Sequence, residues 1–378
     1  MKSIFNFLLI LFFFSSACNS NQSGQTTAGE SGIAQFEEFE IFRGTNIAHW
    51  LSQSSRRGEE RREFFQKQDV DYLASLGFDH LRIPIDEEQM FDEEGNRHQE
   101  AFTLLDSAIH WCQQNQLRVI VDLHILRSHH FNEEEKPLWT DPAAQQRFID
   151  LWSELSAALN KWPVGMVAYE LMNEPVADDP AEWNQLVARA TGAIRELEPE
   201  RIIVIGSNRW QSVDTFDELE LPDNDQNILL SYHFYEPFLL THYQASWTGI
   251  ADYDGPVNYP GQIVPENQMD QVADEWVERI QNRQRVYNRD TLEKMMQKPM
   301  CKAENTGLPL FCGEFGVVTE APDEDRLQWY RDMIAIFEEH HIAYANWNYK
   351  SGNFGLVDEN GNPNQELIDI VTGNVEPQ

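Results

Sequence analysis

An α/β fold, a closed (β/α)8 barrel of the TIM type forming a single domain, is what the sequence predicts, and three observations predict it. From residue 39 onward, short apolar runs alternate with amphipathic stretches of helical length, as parallel strands joined by helices do. The alternation continues through eight units, the number that closes such a barrel. Each apolar run also ends in polar or aromatic residues, and the loops after the strands are where a barrel builds its active site.

Taken in order, the strands are expected at 40–44, 80–83, 118–123, 167–171, 202–205, 228–232, 309–312 and 342–346. Helices are expected at 69–76, 101–115, 143–159, 181–198, 269–297, 323–340 and 365–371, with a weak one at 213–219. Directly after successive strands come Asn46 and His49-Trp50, then Arg82, His124, Asn173-Glu174, Asn208-Trp210, His233-Tyr235, Glu314 and Trp347. The connection 238–268 is too long for an ordinary strand-to-helix loop and carries Tyr243, Trp247, Tyr253 and Tyr259. A planar ring offers an apolar face to the C–H side of a sugar, so this loop is expected to wall a cleft. The alternative is a flap whose rings pack on the barrel rim.

Ahead of the barrel, Lys2 precedes an apolar run, residues 4–14, interrupted by Asn6, and then Ser15-Ser16-Ala17-Cys18. The run is too short to span a bilayer and has the layout of a cleaved secretory signal. Residues 1–18 are therefore expected to direct export. Ser-Ala-Cys is similar to a bacterial lipoprotein box, which implies a lipid on Cys18 and an outer-membrane or cell-surface location; ordinary cleavage and soluble release is the alternative. Residues 19–35, rich in Ser, Gln, Thr and Gly, are expected to be a flexible linker, leaving 36–378 as the catalytic domain.

The formal net charge of -35 argues against nucleic acid as a partner, because phosphates would be repelled. If Cys18 carries lipid, Cys112, Cys301 and Cys312 remain, an odd number that excludes a complete disulfide framework. A Cys301–Cys312 bridge is conceivable, but Cys312 stands in an apolar strand and is expected to be a small core residue. The first strand end lacks the His-x-His of a barrel metal centre, with only His49 there, and no glycine-rich phosphate loop is evident. No metal and no cofactor are therefore expected, and the chain is expected to act as a monomer.

The stretch Val-Ala-Tyr-Glu-Leu-Met-Asn-Glu-Pro ends an apolar strand in Glu174, and Leu-Phe-Cys-Gly-Glu-Phe-Gly does the same in Glu314. In an eight-strand barrel the fourth and seventh strand ends face each other across the mouth, so the two carboxylates can point at one bond. Glycosidic cleavage needs such a pair, one protonated and one ionised. Arg82 is placed to hold Glu314 ionised and Tyr235 to donate to it, while Asn173 is suited to a sugar 2-hydroxyl. His124 and His233 would bind hydroxyls or orient the carboxylates, and Trp347 would stack under the sugar before the cleaved bond. Glu170 shares strand parity with Glu174 and is expected to be paired inside the barrel.

Together these motifs, Leu-Arg-Ile-Pro (81–84), Asp-Leu-His (122–124), Asn-Glu-Pro (173–175), His-Phe-Tyr (233–235), Gly-Glu-Phe-Gly (313–316) and Trp347, mean that the chain resembles glycoside hydrolase family 5 from about Phe36 to its end. The resemblance implies that Glu174 is the general acid/base and Glu314 the nucleophile of a retaining glycosidase. The last-strand region, Trp347-Asn348-Tyr349-Lys350, resembles that of members acting on β-glucans, which implies hydroxyl binding by Lys350. Trp50 and Trp247 complete the expected substrate contacts. The expected activity is endo-acting cleavage of a β-1,4-glucan, cellulosic or mixed-linkage; a β-mannanase, an exo-acting β-glucosidase and a non-catalytic glycan-binding lipoprotein are the alternatives.

Overall fold

Eight parallel strands close into a barrel: β1 (Arg43–Asn46), β2 (His80–Asp86), β3 (Arg118–Ile125), β4 (Val167–Glu170), β5 (Ile203–Gly206), β6 (Ile228–Phe234), β7 (Leu310–Phe315) and β8 (Ala343–Asn346). Each strand pairs with its neighbours in sequence, and β8 closes on β1 with Arg43 opposite Tyr344. The computed structural model describes residues 36–350, 352–358 and 360–374. The expected signal segment, Cys18 and the linker 19–35 lie outside the described residues.

Side chains alternate between the two faces of each strand, and the alternation sorts apolar from polar groups by height. Ile120, Ala168, Val204, Leu229, Phe311 and Ala343 form a small apolar cluster within the barrel, distinct from the main core between strands and helices. Two residues further along the same faces come Asp122, Glu170 and Ser231, all fully buried. Polar chemistry is therefore stacked above an apolar plug, toward the strands' C-terminal ends. His80 fits this interior only because residue 44 is glycine: a Cβ there would fall 2.2 Å from the imidazole.

Two of the outer helices show why the loops end where they do. Asp141 accepts the Ala143 N–H at 2.9 Å ahead of Pro142–Leu159. Asp179 does the same for Ala181 and, with Glu182, forms a capping box ahead of Pro180–Leu197. Proline in the first turn of each needs no N–H partner.

The expected helix at 269–297 is not one helix. A 3-10 turn, Glu266–Gln271, precedes the helix Asp274–Gln281, and the strand Val286–Tyr287 then pairs antiparallel with Gly261–Gln262. Asn288 caps the helix Arg289–Met295, and Gln297–Thr306 follows after a break at Met296. The apolar spacing persists across these pieces, but the backbone folds back on itself, so periodicity alone could not separate them. Within 238–268, Tyr253 and Tyr259 are buried, their hydroxyls donating to Pro256 O and to Asp332 Oδ2, each at 2.6 Å. These two rings pack the flap rather than wall a cleft. All three described cysteines are free, with Cys301 exposed and Cys312 buried in β7, so the two form no bridge. No described helix is long and apolar enough to cross a membrane.

Candidate active site

Arg82 of β2 is fully buried, and its guanidinium organises the barrel mouth. Nη1 donates to Glu314 Oε1 at 2.8 Å and to Asn46 Oδ1 at 2.9 Å. Nε and Nη2 grip Glu170 at 2.6 and 3.0 Å, and Nη2 also reaches Asn173 Oδ1 at 2.8 Å and Asp122 Oδ2 at 3.0 Å. Glu170 is thus the internally paired carboxylate expected of it, with Gln211 Nε2 donating to its Oε1 at 2.9 Å. Burial opposes the charge on Arg82, but Asp122, Glu170 and Glu314 outweigh it, and the guanidinium stays cationic.

One guanidinium faces four carboxylates here, so protons must be retained in the cluster. Burial pushes Asp122 up to about 7 against the pull of Arg82. Glu174 is raised well above the usual carboxylate range, first by burial and then by the charge of Glu314. Glu314 is also raised by burial, but Arg82 and the Tyr235 hydroxyl, 2.9 Å from Oε2, pull it back. The shared proton therefore resides on Glu174. One carboxylate oxygen from each and a ring nitrogen of His233 lie within 4.8 Å of one another. His233 Nδ1 is 3.0 Å from Glu174 Oε1, and burial followed by Arg82 drives its pKa well below the usual histidine value, so the contact is between neutral groups. These three side chains could in principle ligate a cation, but Arg82 already supplies positive charge to Glu314, which disfavours a second one there.

Glu174 itself has a left-handed backbone, φ 47°, an uncommon conformation for a side-chain-bearing residue. His129 beneath it holds the strained carbonyl, its Nε2 3.2 Å from Glu174 O. A second strained segment lies after β5, where Arg209, Trp210 and Gln211 all have positive φ. That turn points Gln211 inward to Glu170 and leaves Trp210 44% exposed over the cleft, with its indole donating to Phe131 O at 3.3 Å.

The cleft is a cavity of about 880 Å³ lined by both glutamates, Asn173, His124, His233, Tyr235 and Trp347. His124 is fixed by Asp122 at 2.6 Å and stacks on Trp347 with 5.5 Å between ring centroids. Asn173 Oδ1 is held by Arg82 while its Nδ2 is buried without a protein partner, so the amide is turned to offer a donor. Trp247 is 49% exposed and lines the far wall with His242 and Phe354.

Two expected contacts are corrected. Trp50 has no exposed surface: its indole donates to Arg61 O at 3.0 Å and its ring packs on Phe65. The chain turns at His49, φ 58°, which leaves His49 on the cleft and sends the next side chain into the core. Lys350 does not line the cleft either; its ammonium is bound to Asp69 Oδ1 at 2.8 Å and sits over the Phe64 ring. Cleft residues to which the sequence assigned no role include Trp210, Phe131 and Gln53. Trp210 alone carried a signal, its place directly after the fifth strand.

A parallel barrel with two opposed carboxylates at its mouth, one held by a cation, defines the class of glycosyl hydrolases. The sequence profile of Cellulase (glycosyl hydrolase family 5) matches residues 37–353, and the chain belongs to that family. It is 32% identical over 335 residues to Endoglucanase C of Acetivibrio thermocellus, covering 87% of this chain and 97% of that protein. Cellodextrinase A of Ruminococcus flavefaciens is 29% identical over 307 residues, 80% of this chain and 84% of its own. The solved structure of endoglucanase Cel5A from Thermotoga maritima superposes with a TM-score of 0.70 at 23% identity, covering 89% of this chain and 99% of that one.

Proposed function

We propose that the protein is a retaining endo-β-1,4-glucanase in which Glu174 is the general acid/base and Glu314 the nucleophile. The observation that carries this reading is the carboxylate pair, with one oxygen of each within 4.8 Å of the other and unequal surroundings. Retaining glycosidases place the two carboxyl groups about 5–5.5 Å apart, whereas inverting ones leave about 6.5–9.5 Å for a water. Endo action on a β-glucan is supported by the likeness to Endoglucanase C.

In this reading the two carboxylates divide the chemistry between them. Protonated Glu174 gives its proton to the glycosidic oxygen as the bond from C1 breaks. Glu314, kept ionised by Arg82 and Tyr235, supplies the electron pair that forms the new bond to C1. Esterification removes the negative charge of Glu314, so one of the causes raising Glu174 disappears. Glu174 then accepts a proton from the water that attacks C1, and Glu314 leaves as a carboxylate. Asn173 Nδ2 is placed for the 2-hydroxyl, a contact that strengthens as the ring flattens. Trp347, braced by His124, forms the platform beneath that sugar.

Two measurements test the reading. NMR of early products should show the β anomer first, and initial α anomer would contradict the pair of roles. On carboxymethylcellulose, viscosity should fall well before reducing ends accumulate. Reducing ends released at constant viscosity would replace endo action by release from chain ends, and faster turnover of glucomannan than of glucan would move the substrate class.

Export and anchoring through a lipid on Cys18 remain part of the proposal, supported by the layout of residues 1–18. Radiolabelled palmitate should enter the wild-type chain and not Cys18→Ala. Equal labelling of both would remove the anchor.

A further inference from the structure

Beyond Phe238 lies a second cavity, of about 370 Å³, within the size range of small-ligand sites. Its floor is apolar, formed by Ile250, Ile263, Ile280 and the buried indole of Trp276. Arg279, Arg283 and Arg285, all exposed, converge on its rim. Glu236 and Phe238 border both this cavity and the catalytic cleft, which places the two side by side.

The charge of the rim runs against the composition of the molecule. Lysine and arginine number 28 against 63 acidic residues, yet three arginines meet here. The guanidinium of Arg279 lies 4.4 Å from the centre of the Trp276 ring and donates to Gly249 O at 3.3 Å. That of Arg285 lies 5.4 Å from the centre of the Tyr287 ring. Among the described residues, none of the three has a carboxylate within 4.0 Å, although Arg283 and Arg285 act on Glu236 from farther away. Asp274, Glu275 and Glu278 of the same helix are not in the cavity wall. Glu236 is the wall's one acid; burial raises it while Arg285 and Arg283 pull it down only in part.

We propose that this cavity is a subsite for an acidic substituent, carboxylate or phosphate, on the glucan whose backbone occupies the catalytic cleft. Guanidinium groups match the planar fork of either oxyanion, and the apolar floor suits the C–H face of a sugar branch. A chain of net charge -35 repels an acidic polysaccharide at long range, and the arginine rim offsets that repulsion where the substrate must approach. The proposal rests on the glucanase reading for the backbone.

The test uses the full chain and the double variant Arg283→Gln/Arg285→Gln, leaving Arg279 to brace Gly249. Retention is measured by affinity electrophoresis in gels holding carboxymethylcellulose, phosphorylated cellulose or neutral hydroxyethylcellulose, each referred to a gel without polymer. Turnover of neutral mixed-linkage glucan reports that the fold is intact. Retention by at least one acidic polymer should weaken about fivefold in the variant at low salt, and the gap should close at high salt, as for exposed charge contacts. The neutral polymer should retain both proteins equally. The polymer that loses its grip identifies the oxyanion. Equal retention of both proteins on both acidic polymers, or an equal loss on the neutral one, would overturn the proposal. Failure of the glucanase reading looks different: the wild type then cleaves no glucan, while the acidic-polymer gels still decide the subsite.

Discussion

Replacing Tyr235 by Phe removes one oxygen and leaves the ring, whose neighbours His242 and Phe354 sit with centroids 5.0 and 6.0 Å away, free to pack as before. The lost contact is a 2.9 Å donation to Glu314 Oε2 in a buried site. A hydrogen bond to a charged acceptor contributes about 1.5–3 kcal/mol, and 1.36 kcal/mol is a tenfold change in a protonation equilibrium. The bond stabilises ionised Glu314, so its loss raises the pKa of the nucleophile. The acid limb of kcat/KM should then reach half-height at a proton concentration roughly ten- to a hundredfold lower than in the wild type. The assay is a pH profile on an aryl β-cellobioside, with a thermal melt to show that the variant is folded. The limb belongs to the coupled pair, so the comparison is between whole profiles. An unmoved limb beneath a lowered plateau would refute the argument, because Tyr235 would then act on the transition state without stabilising the resting nucleophile.

Glu174→Ala should abolish polysaccharide cleavage while an activated aryl glycoside still glycosylates the enzyme, seen as a burst of phenol; loss of the burst would assign Glu174 another role. Trp50→Ala should cost about 3–5 kcal/mol in urea unfolding and leave KM unchanged, since the ring is core; a raised KM in a folded variant would return it to the cleft. Lys350→Met should likewise leave KM unchanged while lowering stability, because the buried Asp69 keeps its bonds from Tyr349 and Gln66 but loses its cation. Asp86, pushed up to about 7 by burial, binds its proton more tightly folded than unfolded, so it withdraws stability as pH rises from about 4 toward about 7. Asp86→Asn should therefore gain stability relative to the wild type over that window, and parallel urea midpoints at both ends would count against it.

The barrel and its candidate site residues were legible because one rule covers both: polar side chains gather at or just beyond the barrel strands, around the mouth. Asn173 and Glu174 follow β4, whereas Arg82, His233 and Glu314 stand within β2, β6 and β7, and the structure brings all five together. What was not legible depends on the direction of single bonds in loops. His49 and Trp50 are adjacent in sequence, and a positive φ at His49 parts them, one to the cleft and one to the core. Tyr253, Tyr259 and Trp247 share one loop and one aromatic character. The two tyrosines find acceptors for their hydroxyls inside the flap, so burial costs them little, while Trp247 stays half exposed.

Arg82 holds partners from four other barrel segments: Asn46 at the end of β1, Asp122 in β3, Glu170 and Asn173 at and beyond β4, and Glu314 in β7. Residues that share a partner do not vary independently, because each substitution changes what the others lose. Substitutions at positions outside that set, such as the surface-facing Trp210, Trp247 and the arginine rim, are free of that coupling. Any lineage that altered one member of the set would have to alter another at nearly the same time or pass through an inactive ancestor.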